Sequence, residues 1–181
     1  MKKHLIFALI GGSILFFWQF LSHAAMNLHA QSQEYTPKQL AILNAIEAYG
    51  LEPGQYFLGM PDPEATEQEK ESMSASFADK PWGILNYQTE PNGMTMNLIR
   101  GFLIAILVAG LFHWLVTNMV DVDMKKGLLA GLAVGMISYF LEPYSDFIWF
   151  KTPGILAHLV DAIVPWAILG ALSSRIGIQK A

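Results

Sequence analysis

The sequence predicts a membrane all-α bundle of four transmembrane helices, with a small α+β insertion between helices 1 and 2. Three observations carry this expectation. The 181 residues are 53% hydrophobic and only 14% charged, with a mean hydropathy of +0.36, too apolar and too poor in charge for an ordinary soluble domain. Four apolar runs approach the length that spans a bilayer, and one polar section separates the first from the rest. The last run, Gly154–Ser173, carries His158, Asp161 and Pro165 at the i, i+3, i+7 spacing of one helix face.

That face sets a demand on the rest of the chain. An acid at the bilayer centre costs roughly 2.5–3.5 kcal/mol on insertion scales, so Asp161 needs a partner. Pro165 has no amide hydrogen and frees the Asp161 carbonyl one turn back. The other segments are therefore expected to offer this face a polar, protein-lined pocket. A net charge of −4 leaves no basic footprint for nucleic acid, and the absence of cysteine excludes disulfides, thiolate catalysis and Cys-ligated metal.

Lys2 and Lys3 precede Leu5–Leu21, an unbroken apolar run. A cleaved signal peptide competes, because Ser22-His23-Ala24 offers small residues to a peptidase. The length of the run and its bulky Phe16, Phe17, Trp18 and Phe20 favour an uncleaved anchor, residues 1–25. Residues 26–96 are the polar section, with ten acids against three bases and a net charge of −7. Thr36-Pro37-Lys38-Gln39 reads as a helix start, with Thr36 as N-cap and Gln39 closing a capping box, and the helix stops at Gly50. Asp62-Pro63 reads as the start of an acidic helix reaching Phe77. Gln55–Leu58 and Ile84–Gln88 are short enough to pair as strands.

Residues 97–181 hold the remaining spans. In Asn97–Val120, Gly101, Ala105 and Ala109 recur every four residues, a small-residue seam along which membrane helices approach. His113 and Thr117 continue it, so His113 should face the bundle. Gly127–Leu141 carries Gly127, Gly131 and Gly135, a double GxxxG pattern for close packing. Glu142-Pro143 ends that span, and Tyr144–Pro153 mixes aromatics with Asp146 and Lys151, as a membrane–water interface turn would. With four spans, Lys2, Lys3, Lys125, Lys126, Arg175 and Lys180 fall on one side, so both termini are expected in the cytoplasm and residues 26–96 outside it.

Depth then sorts the polar residues. Asp161, His158, Arg100, Glu142, Asp146 and His23 are assigned to the outer half of the membrane. His113 lies thirteen residues beyond Arg100, about 20 Å deeper at 1.5 Å per residue, and cannot share a site with His158. The bland reading of the cluster is structural: Arg100 pairs with Asp161 or Glu142, and the network fixes helix packing. The sharper one makes His158 and Asp161 proton or cation groups in an outward-facing pocket. A metal held by His23, His158 and Asp161 or Glu142 has acceptable ligand types, but H-x-x-D is a weak motif, so no metal is expected. Haem is not expected either: bis-histidine ligation needs a second histidine at the depth of His113, and no span supplies one. The tryptophans Trp18, Trp82, Trp149 and Trp166 read as interface anchors or core.

Several short motifs carry a resemblance. They are Trp18 with His23, Glu52-Pro53-Gly54-Gln55-Tyr56-Phe57, Gly59-Met60-Pro61, Glu142-Pro143-Tyr144 through Trp149, and Asp161 followed by Trp166. With these the chain resembles a family of small uncharacterised bacterial four-span inner-membrane proteins with a periplasmic loop domain. The resemblance implies the same architecture in a bacterial inner membrane and transfers no activity.

No hydrolase or other catalytic signature appears, so an enzyme is not expected, and no cofactor is implied. The expected role is that of a non-catalytic structural or accessory membrane protein. Its small-residue seams and outer section would bind the lipid bilayer, a second copy or another membrane protein. The alternative is a small oligomeric channel or proton-linked transporter using Asp161, His158 and Arg100.

Overall fold

The computed structural model describes residues 2–176; Lys180, counted above among the bases of one side, lies outside them. The chain forms two compact units. One joins the residues up to Glu34 with those from Gly93 onward, and the other is Tyr35–Asn92.

The first unit contains four helices long and apolar enough to cross a membrane, as expected. The first, α1, is Lys2–Phe20 and continues into a π-helical turn at Leu21–Ala25. After the second unit (α2, β1, α3 and β2, below), the helices resume with α4 (Met94–Thr117), α5 (Met124–Leu141), α6 (Pro143–Phe150) and α7 (Ile155–Ile176). The segment read as an interface turn is thus largely helical. Pro143 sits in the first turn of α6, where its missing amide hydrogen costs nothing. Lys151 then ends the helix in a left-handed conformation, φ 55°.

Glycines decide which helices pair. Helix α5 lies along α7, and α1 lies along α4, whereas α4 and α5, though consecutive, hardly touch. A methyl group at Gly131 would overlap the Trp166 carbonyl, and one at Gly135 the Ala162 carbonyl; at Gly127 it would stand 2.6 Å from the Gly170 carbonyl oxygen. The double GxxxG face is therefore filled from within the chain, backbone on backbone, as small residues allow. On the other pair a Cβ at Gly12 would lie 2.6 Å from the Ile106 Cα, and one at Gly11 would lie 3.0 Å from the Ala109 Cβ. Gly11 and Gly12 of α1 are thus the closest approach to α4. Of the predicted α4 seam, Ala105 and Ala109 are buried in this contact, but Gly101 meets only the Phe16 ring at 3.8 Å. The core between the pairs is Phe7, Ala109, Phe112, Val116 and Leu169.

In the second unit α2 is Gln39–Ala48, β1 Gly54–Leu58, α3 Glu67–Phe77 and β2 Gly83–Tyr87. The strands pair antiparallel with Tyr56 opposite Leu85, close to the expected pair. Both helices start later than expected. At α2 the Thr36 hydroxyl accepts from the Lys38 amide at 3.3 Å, a local turn, so Pro37 and Lys38 precede the helix and no capping box forms. At α3 the Asp62 carboxylate accepts from the Glu64 amide at 2.9 Å, again a turn. The true cap is Thr66, which forms a reciprocal capping box with Glu69. The T-x-x-E pattern was present in the sequence at 66–69, three residues past the more conspicuous Asp-Pro.

Candidate functional site

Asp161 is the centre of the first unit's polar chemistry. Trp18 Nε1 donates to Asp161 Oδ1 at 2.9 Å, and the Ser22 hydroxyl donates to the same oxygen at 2.7 Å. His29 Nε2 lies 2.7 Å from Oδ2. The carboxylate retains 21% side-chain exposure, and His29 7%.

The geometry follows from the end of α1. Trp18 and Ser22 are four residues apart, so one helical face presents both to α7. Beyond Phe20 the helix widens into the π turn, closed by the Met26 amide on the Leu21 carbonyl at 2.8 Å. Asn27 then turns left-handed, φ 50°, a conformation asparagine tolerates better than most residues. The Leu28 amide returns to the Ser22 carbonyl at 2.9 Å, which folds the chain back and delivers His29 to Asp161. A short 3-10 turn at Ala30–Ser32 follows, and the Ser32 hydroxyl donates to the Pro153 carbonyl at 3.3 Å. Gly154 beside it has φ 87°, and a Cβ there would collide with the Ser32 oxygen, so only glycine suits this corner.

Two more imidazoles border the carboxylate. His23 stacks on His29 with centroids 3.8 Å apart, and His158 stands edge-on to His29 at 4.7 Å. The group opens into a cavity of about 420 Å³ whose wall includes Asp161, His158, His23, Glu142, Tyr139 and Trp166. Pro165 is buried in α7, one turn from Asp161, and lines the same space. A larger groove along α1, about 560 Å³, is lined by Leu9, Ile10 and Phe17 and offers little to a polar ligand.

The expected cluster is therefore assembled in part. Asp161, His158, His23 and Glu142 share one cavity. Arg100 does not join them: it is exposed and, among the described residues, forms no ion pair with Asp161 or Glu142. Asp146 lies on α6, half-buried and off the cavity wall. The base that meets Asp161 is His29, from the start of the polar section, and Trp18, expected as interface anchor or core, also donates to the acid. The missed signal was H-x5-H after the first span, where a reversal of the chain brings the second histidine back to the helix end.

His113 is a separate feature. It is fully buried, its Nδ1 is 2.8 Å from the Ser173 hydroxyl, and its ring stacks on Phe7 at 4.2 Å. Contrary to expectation, another histidine does reach its depth: His4 of α1 lies 5.0 Å away, centroid to centroid. The rings are neighbours, tilted by 57°, so no macrocycle fits between them. Among the described residues, His113 Nε2 has no hydrogen-bond partner.

His23, His29 and Asp161 each offer one ligand atom, and these atoms lie within 4.8 Å of one another. No known protein family, curated protein or solved structure matches this chain.

Proposed function

We propose that this chain is a multi-pass membrane protein, not an enzyme, that binds and passes protons or small cations at the Asp161 cavity. The single observation that carries the reading is the convergence of Asp161, Glu142, His23 and His158 on one open space among apolar helices, with His29 packed against both imidazoles. Ionisable groups in such surroundings are costly and mark ion paths more often than they serve as ornament. The exposed Leu103, Leu107, Leu111 and Trp114 of α4 support a lipid-facing exterior. Both termini are placed in the cytoplasm on the strength of Lys2, Lys3, Lys125, Lys126 and Arg175, with residues 26–96 on the opposite, periplasmic side of a bacterial inner membrane. Four spans enclose little space, so the carrier reading includes self-association.

The test is flux into sealed vesicles holding the purified protein. Wild type should carry protons or a monovalent cation above the level of empty vesicles, and Asp161→Asn should return to that level while keeping its fold. Equal flux in wild type and variant overturns the proposal. One observation favours a second reading, a non-catalytic accessory subunit in which the cluster only locks helices together: three hydrogen bonds already satisfy Asp161. That reading expects no flux and a membrane-protein partner recovered in mild detergent.

A further inference from the structure

We infer that His23, His29 and Asp161 form a site for a borderline divalent cation of the zinc, cobalt and nickel type, with its open position facing the cavity. The inference rests on the reading of that cavity as a cation site and narrows the cation. Two imidazole nitrogens and one carboxylate oxygen suit such ions, whereas calcium and magnesium seek sets made of oxygen alone. The three ligand atoms already lie within 4.8 Å of one another. A tetrahedral ion with bonds near 2.0–2.1 Å holds its ligand atoms about 3.3 Å apart. The His29 Nε2 to Asp161 Oδ2 separation of 2.7 Å thus has to widen by well under one ångström, with the His29 proton held on Nδ1 so that the Nε2 lone pair faces the ion.

The neighbours fit this use. Trp18 and Ser22 both bond to Oδ1 of Asp161, which leaves Oδ2 as the ligating oxygen and fixes the carboxylate, as outer partners of metal ligands do. His23 is exposed, so its ring can leave its stack on His29 and turn its lone pair toward the ion. Three protein ligands with a free fourth position describe a site that exchanges its ion or its ion's water, unlike a closed structural site. His158 stands beside His29 on the cavity side and can receive a departing ion.

The experiment uses the full chain in mild detergent, stripped with chelator and titrated with Co²⁺, then competed with Zn²⁺. One Co²⁺ per chain should saturate with visible ligand-field bands of a low-coordinate site, and Zn²⁺ should remove them. His23→Ala, which breaks no hydrogen bond to Asp161, should weaken binding by about tenfold or more and shift or abolish the bands at an unchanged melting temperature. Absent bands in wild type, or identical titrations in wild type and His23→Ala, overturn the metal site. The two readings fail separately. Flux that needs Asp161 but no metal binding removes the metal inference alone, whereas stoichiometric metal binding without any flux removes the transport reading and leaves the site.

Discussion

Replacing Asp161 by alanine and by asparagine separates the packing role of this acid from its charge. Alanine leaves the Trp18 Nε1, Ser22 Oγ and His29 Nε2 groups without their acceptor, and Ser22 is fully buried. Hydrogen bonds between membrane helices are worth about 0.6–1.7 kcal/mol each, so three of them amount to roughly 2–5 kcal/mol. Asparagine is nearly isosteric. Its carbonyl can still accept from Trp18 and Ser22, and its amide can donate to His29 Nε2 once the imidazole proton moves to Nδ1. Its cost should stay near that of a single bond, about 0.6–1.7 kcal/mol. Reversible unfolding in mixed micelles, read by tryptophan fluorescence and circular dichroism, measures both. If alanine costs less than about 0.5 kcal/mol, within the range of an inert surface change, the reasoning fails. It fails equally if asparagine is as damaging as alanine.

Three other perturbations test the remaining elements. Gly131→Ala should destabilise by about 1–3 kcal/mol, because its methyl meets the Trp166 backbone rather than a movable side chain. Gly101→Ala, facing only a ring edge at 3.8 Å, should be neutral or slightly stabilising in the same unfolding assay. Ser173→Ala should cost about 1–3 kcal/mol by leaving the buried His113 with no partner on either nitrogen, whereas Ser173→Ala combined with His113→Phe should recover most of that loss; equal losses in single and double variants refute the orphaned-nitrogen argument. In the second unit the Thr66 hydroxyl, and after it the Thr66 amide, hold the Glu69 carboxyl below its ordinary pKa. Its contribution is therefore complete above the unfolded-chain pKa and is lost as pH falls through the lower folded value. The first turn of α3 should fray on acidification, seen as loss of amide protection, and Glu69→Gln should remove that pH dependence; an unchanged pH profile in the variant shows that another group is responsible.

Much of this architecture is legible along the chain because it depends on short-range pattern. Helix lengths follow from apolar runs, the strand pair from the two short segments Gln55–Leu58 and Ile84–Gln88, and the stop of α2 from Gly50, whose φ of 67° suits the end of a helix. The need of Asp161 for a polar pocket could also be derived, since the penalty for a lone intramembrane acid does not depend on which partner removes it. The identity of the partners could not. Trp18, Ser22 and His29 lie 143, 139 and 132 residues away in sequence, and their meeting depends on α1 lying near α7 and on the π turn and left-handed Asn27 that reverse the chain. Arg100 was the natural electrostatic choice, because charge is visible in a sequence and helix rotation is not. In the same way, Gly127, Gly131 and Gly135 announce a close contact, but only the fold assigns it to α7 of the same chain rather than to a second molecule. Composition and periodicity determine what each segment requires of its surroundings. The choice among surroundings belongs to helix pairing, which is set where two backbones can approach without a side chain between them.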